Sequence, residues 1–121
     1  MRKFRLACFD LDGTLIDSPR SIWQLVHEKL GTDNEARKKV MKDFYEGRIS
    51  YREWAEHDIM IWKKSGLRRE KLMEIISSLK VMPGARETLA ELKRKGIKLA
   101  VISGSLKDVL DYFFPETFDY V

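Results

Sequence analysis

Apolar and polar positions along the chain fall into two regimes. Phe4, Leu6, Ala7, Cys8 and Phe9 form a short apolar run that predicts a strand over 4–9. A long stretch of helical period follows. Ile22, Trp23, Val26 and Leu30 recur on one face, with Ser18 as N-cap, Pro19 at the first helical position and Gly31 as the stop. Ala36, Val40 and Phe44 stripe a second helix, opened by the capping-box spacing of Thr32 and Glu35 and closed by Gly47. A third starts at the box Ser50–Glu53, carries Tyr51, Trp54, Ile61 and Trp62 on one side, and ends at Gly66. A fourth turns Leu72, Ile75, Ile76 and Leu79 inward. Four helices in succession exceed what a plain crossover between parallel strands needs. Residues 16–80 therefore read as an inserted helical module.

Beyond residue 80 the pattern is that of an ordinary α/β unit. Pro83-Gly84 marks a turn, and Ala85, Leu89 and Leu92 give an amphipathic helix capped by Gly96. Residues 97–102 are continuously apolar apart from Lys98, as in a parallel strand buried on both faces. Ser103-Gly104-Ser105 breaks that strand, and Ser105 with Asp108 has the spacing to cap a helix carrying Leu106, Val109, Leu110 and Phe113. Pro115 ends it, and 118–121 reads as the opening of a third strand. The expected fold class is α/β: a small parallel sheet of about three strands, formed by 1–15 and 81–121, interrupted by helices over 16–80.

Composition narrows the function classes. The 121 residues suit one domain, and 44% hydrophobic with 35% charged residues is a globular balance without a disorder signature. The 23 Lys and Arg exceed the 19 Asp and Glu by only four, and they lie interspersed on helix faces such as Arg37-Lys38-Lys39. Without aromatic interleaving or a binding motif, these are solvated faces and argue against a nucleic-acid partner. The mild positive field still favours an anionic substrate. No apolar run approaches a membrane span, and no signal-peptide pattern opens the chain, so a cytoplasmic location without membrane association is expected. The single Cys8 has no intrachain partner and, placed in the first strand, is expected to be a buried thiol.

Candidate chemistry gathers where the first strand ends. Asp10 and Asp12 stand at i and i+2 on an extended segment and point the same way, and Gly13 permits an immediate turn. Ligands of open α/β sheets sit outside the carboxyl ends of strands. A bare Asp-x-Asp is more simply read as a polar turn. The whole string Asp10-Leu11-Asp12-Gly13-Thr14-Leu15 resembles the first motif of the haloacid dehalogenase (HAD) superfamily, best known for magnesium-dependent phosphatases. A second candidate is Val101-Ile102-Ser103-Gly104-Ser105, where a hydroxyl, a glycine and a helix N-terminus at a strand end favour a phosphate. It resembles the second HAD motif.

The resemblance implies roles residue by residue. Asp10 is the nucleophile that forms an aspartyl-phosphate, and Asp12 is the acid for the leaving oxygen and then the base for water. Thr14 supports the loop, while Ser103 and Gly104 contact the phosphoryl group. Asp10 and the Asp12 backbone carbonyl ligate Mg²⁺. The implied fold is a partial HAD-type, Rossmann-like core with a helical cap, and the implied substrate is a small phosphorylated metabolite.

The cap is similar to that of phosphoserine phosphatases, through Glu46-Gly47-Arg48-Ile49-Ser50-Tyr51 and Pro83-Gly84-Ala85. Two positions depart from that family. Pro19 stands where it has a Glu for the substrate's amine, and Asp58 where it has an Arg for the carboxylate, so phosphoserine is not the expected substrate. Asp58 lies on the apolar side of its helix beside His57, either facing a cleft, where it selects a cationic or hydroxylated substrate, or standing at the edge of the stripe as an exposed or locally paired acid. The family's later Lys and acidic motif are not placed in this chain. The expectation is therefore a HAD-type phosphomonoester hydrolase. The alternative is a non-catalytic phosphate-binding or interaction module. With strands on only one side of the first strand, a homodimer or a complementing C-terminal half is expected as partner.

Overall fold

A computed structural model of the chain describes residues 3–121; residues 1 and 2 of the expected core lie outside them. The elements run β1 (Leu6–Phe9), α1 (Ile22–Leu30), α2 (Asn34–Tyr45), α3 (Tyr51–Lys64), α4 (Arg69–Ser77), α5 (Ala85–Arg94), β2 (Lys98–Val101) and α6 (Lys107–Phe113). They divide into two compact units, one ending at Ile22 and resuming over Ile76–Val121, the other Trp23–Ile75.

The first unit holds the sheet. β1 and β2 are parallel neighbours, with Leu6 opposite Lys98 and Phe9 opposite Val101. Leu99, Ala100 and Val101 are all buried, as the apolar run predicts. The expected third strand is reduced to a single parallel bridge between Ala100 and Tyr120. Asp119 explains the shortening. Its Oδ2 accepts the Leu99 amide at 2.9 Å, so a side chain takes the ladder position that a strand carbonyl would fill. Cys8 is exposed rather than buried, because β1 alternates and its Leu6 and Cys8 positions carry no cover. Leu11, Leu15, Ile16, Leu89, Val109, Leu110 and Phe114 complete this unit's interior.

The flanks of the helical insertion pair with each other inside the first unit. Ile16 bridges Val81 in antiparallel sense, the Asp17 amide donates to the Lys80 carbonyl at 2.8 Å, and the Met82 amide to Leu15 at 2.8 Å. This two-stranded neck carries 16–22 and 76–82 with the sheet, so the compact units part at Ile22 and Ile76 rather than at residues 16 and 80.

In the second unit, α3 starts as the sequence predicts: Ser50 Oγ accepts the Glu53 amide and Glu53 reaches back to the Ser50 amide, both at 3.0 Å. Two other expected caps are replaced. Asp33, not Thr32, caps α2, accepting from the Glu35 and Ala36 amides at 2.9 and 3.3 Å. Thr32 is instead buried, with Oγ1 2.8 Å from His27 Nδ1. In the first unit, the Ser18 hydroxyl is spent on the backbone of Arg20, and α1 begins at Ile22, three residues later than a Ser18 cap with Pro19 at the first helical position predicts.

Candidate active site

The site grows out of the end of β1. Backbone pairing continues past the strands, since the Ile102 amide donates to the Phe9 carbonyl at 3.0 Å. Parallel strands held in this register release Asp10 and Ser103 at the same end of the sheet. The chain then folds tightly on itself. The Leu11 carbonyl accepts the amides of Thr14, Leu15 and Ile16 at 3.2, 3.0 and 2.9 Å, and the Gly13 amide donates to Ile16 at 2.9 Å. Gly13 sits at φ +79, the left-handed region this turn requires.

Each aspartate is fixed differently. Asp10 Oδ1 accepts the adjacent Leu11 amide at 2.6 Å, and the residue is otherwise exposed. Asp12 is half-buried and occupied on both oxygens: Oδ2 accepts the Ile22 amide at 3.0 Å, and Oδ1 accepts the Ser105 hydroxyl at 3.2 Å. The first of these caps α1 from ten residues upstream, satisfying one of the amides that a helix N-terminus leaves open. Burial pushes the Asp12 carboxyl above its ordinary value and the Asp10 charge adds to this, while the Ile22 and Ser105 hydrogen bonds pull it down.

The second loop arrives from β2. Ser103 and Gly104 are exposed, and Ser103 Oγ accepts the Ser105 amide at 3.0 Å. The expected Ser105–Asp108 cap does not form. Leu106 is the N-cap of α6, without a side-chain hydrogen bond, because the Ser105 hydroxyl turns to Asp12. Thr14 contributes its backbone amide to the tight loop and leaves its side chain exposed. Lys107 lies on α6, paired with Asp111 at 3.0 Å.

Donor chemistry at Asp10 suits a hard cation, which takes one or two protein oxygens together with water and phosphate. The carboxylate is exposed and keeps its second oxygen clear of the Leu11 bond. Among the described residues no group of three or more His, Cys, Asp or Glu gathers as a closed protein cage.

The two remaining sequence candidates belong to the helical unit. His57 is exposed. Asp58 is 6% exposed and its Oδ1 lies 3.2 Å from Nε2 of the equally buried His27. The helical period carries the signal for this pair: His27 is four residues after Trp23 and Asp58 four after Trp54, so both point with their apolar stripes. Ser105 left no such signal, since a local cap accounted for it.

Parallel strands that deliver a paired-aspartate loop and a Ser-Gly-Ser loop to one end of the sheet define an α/β protein with a carboxylate site beyond its strands. A family model described as haloacid dehalogenase-like hydrolase matches residues 4–120, and the chain belongs to that hydrolase family. It is 33% identical over 110 residues to a phosphoserine phosphatase of Archaeoglobus fulgidus, covering 91% of this chain and 30% of that protein. It is 32% identical over 103 residues to the phosphoserine phosphatase of Methanocaldococcus jannaschii, covering 85% and 46%. A solved substrate-bound phosphoserine phosphatase complex superposes with a TM-score of 0.73 at 26% identity, over 99% of this chain and 55% of the other. The chain thus spans less than half the length of the curated relatives it matches. No helix among the described residues is long and apolar enough to cross a membrane.

Proposed function

We propose that the chain carries the phosphoryl-transfer half of a Mg²⁺-dependent phosphomonoester hydrolase that works through an aspartyl-phosphate on Asp10. The observation that carries this reading is the pairing of an exposed Asp10 carboxylate with a half-buried Asp12 whose two oxygens are both held by donors. Asp10 attacks phosphorus and the bond to the leaving oxygen breaks; Asp12 gives that oxygen its proton, releasing the alcohol. Water then attacks the aspartyl-phosphate and loses a proton to Asp12. The bond to Asp10 breaks, inorganic phosphate leaves, and both carboxyl groups return to their starting states. Ser103 and Gly104 contact the phosphoryl oxygens, and Thr14 maintains the loop. The Asp10 carboxylate and the Asp12 carbonyl would hold Mg²⁺, which would supply charge neutralisation for the phosphate.

The same reading makes 1–15 and 81–121 the HAD core and 16–80 the helical cap. The substrate is a small phosphorylated metabolite other than phosphoserine. The relatives are named phosphoserine phosphatases, but Pro19 offers no ligand for an amine, and the buried Asp58 is committed to His27 rather than offering a cation to a carboxylate. A cytoplasmic location and a second chain on the open edge of β1, either another copy or a complementary half, belong to this proposal.

Turnover of a generic phosphomonoester with and without Mg²⁺, and in Asp10→Asn, tests the chemistry. Mg²⁺-dependent release of phosphate that Asp10→Asn abolishes is expected; turnover indifferent to Asp10→Asn overturns the mechanism. A preference for phosphoserine over a panel of sugar and nucleotide monophosphates overturns the substrate reading alone.

A further inference from the structure

We propose that Ser105 is a positioning residue that fixes the Asp12 carboxyl for its work on the leaving oxygen; the inference rests on the acid–base role given to Asp12 above. Ser105 lies two residues beyond the Ser103 of the second loop, at a position where a helix cap was the ordinary expectation. Its hydroxyl leaves that task undone, since α6 begins without a side-chain cap. It donates instead across 93 residues of sequence to Asp12 Oδ1 at 3.2 Å.

Two further bonds make this contact directional. The Ser105 amide is anchored on Ser103 Oγ at 3.0 Å, which fixes the backbone from which the hydroxyl projects. The opposite oxygen of Asp12 is held by the Ile22 amide at 3.0 Å, at the first turn of α1. A carboxyl group clamped at both oxygens by donors from two different elements cannot rotate about its terminal torsion, which is otherwise broad and roughly two-fold. Each oxygen of a carboxylate has two acceptor positions, so one position on each stays open for the proton that is handed over. Ser105 therefore sets where that proton points, while Ile22 alone leaves the carboxyl one pivot to swing on.

Leaving-group chemistry tests this. An alkyl phosphate needs a proton on its departing oxygen, whereas p-nitrophenyl phosphate departs as a stable phenolate. Loss of Asp12 positioning therefore falls selectively on the alkyl ester in the steps up to release of the alcohol, whereas the water step that follows, and a general loss of packing, are common to both esters. In the 121-residue chain, Ser105→Ala should lower kcat/KM, which reports the steps through alcohol release, for an alkyl phosphate relative to p-nitrophenyl phosphate by about tenfold, the weight of one oriented hydrogen bond. Ser105→Thr, which keeps the hydroxyl, should restore the ratio. Equal losses on both esters, or a Thr variant no better than Ala, overturn the proposal.

Asp10→Asn run alongside separates the two levels: if it abolishes turnover of both esters while Ser105→Ala shows no selectivity, the hydrolase reading stands and this inference fails. Amide hydrogen exchange at Ile22 gives a readout independent of turnover. Freeing Asp12 should speed that exchange by about five- to tenfold in Ser105→Ala and not in Ser105→Thr. Unchanged exchange in the Ala variant overturns the proposal even for a chain that shows no turnover.

Discussion

His27 Nε2 and Asp58 Oδ1 meet at 3.2 Å inside the helical unit, with side chains only 2% and 8% exposed. On the far side of the imidazole, Nδ1 lies 2.8 Å from Thr32 Oγ1, and the ring rests 5.5 Å from that of Trp62. The pair ties α1 to α3 within this unit. It also removes Asp58 from the set of groups free to read a substrate.

Removing one partner of such a pair is costlier than removing both. His27→Leu leaves the buried Asp58 carboxyl without its imidazole partner and should cost about 3–5 kcal/mol. Asp58→Leu leaves an imidazole still engaged with Thr32 and should cost less, and the double variant should be more stable than His27→Leu. Urea denaturation of the three chains checks the order. A cycle without coupling, together with an Asp58→Leu effect confined to KM, would make Asp58 a substrate ligand instead.

Asp12 gives stability a pH dependence of definite sign. Its carboxyl is raised above 3.8, first by burial and then by Asp10, against the lowering effects of Ile22 and Ser105. A raised carboxyl means the folded chain binds the proton more tightly than the unfolded one. The resulting stabilisation is complete below the unfolded-state value and is lost as pH climbs through the higher folded value. Asp12→Asn keeps an oxygen for Ile22 and an amide for Ser105 without burying a charge. Thermal unfolding should find this variant more stable than the parent at pH 7 and no more stable below pH ~3.8. The opposite order would mean that the two hydrogen bonds outweigh desolvation.

Much of this architecture was legible because its signals are local and periodic. The Ser50–Glu53 box, the Ala85–Leu89–Leu92 stripe and the apolar run of β2 each declare themselves within a few residues. The Asp-x-Asp-Gly string marked the candidate site for the same reason. What the sequence concealed are hydroxyls and carboxylates that have a local use and a distant one. Ser18 and Ser105 look like caps and are spent elsewhere. Thr32 yields its cap to the next residue because His27 claims it. Asp119 ends a strand by supplying the acceptor itself. For Ser105 and Asp119 a partner distant in sequence wins, for Ser18 and Thr32 a different near neighbour does, and spacing alone carries no trace of the competition.

Gly13 tests how strongly the aspartate loop depends on backbone conformation. It sits at φ +79, and a Cβ built there would meet only the Ser18 carbonyl, at an ordinary 3.6 Å. Space is therefore not the obstacle. The left-handed conformation is, and Gly13→Ala should cost about 1–2 kcal/mol. The loop orients Asp12, so the loss of turnover should exceed the loss expected from unfolding alone. Denaturation and kinetics on the same preparation separate the two.

The last prediction concerns the free side of β1. Among the described residues, β1 pairs only with β2, so its other edge presents unpaired backbone donors and acceptors. Leu6 is 48% exposed, Phe4 68%, and Cys8 is exposed between them and the site. Neither a charge nor a proline interrupts Leu6-Ala7-Cys8-Phe9, the devices by which edge strands are ordinarily protected. Such an edge beside an apolar strip is a template for another chain, and two-fold pairing of identical edges is the closed solution. The chain should therefore sediment as a dimer or larger at micromolar concentration, and Leu6→Lys should shift it toward monomer while leaving far-ultraviolet circular dichroism intact. Cys8 reports on the same surface: its thiol should react more slowly with a bulky disulfide reagent in the parent than in Leu6→Lys. A parent chain that sediments as a folded monomer, with Cys8 equally reactive in both, would show that β1 needs no second chain.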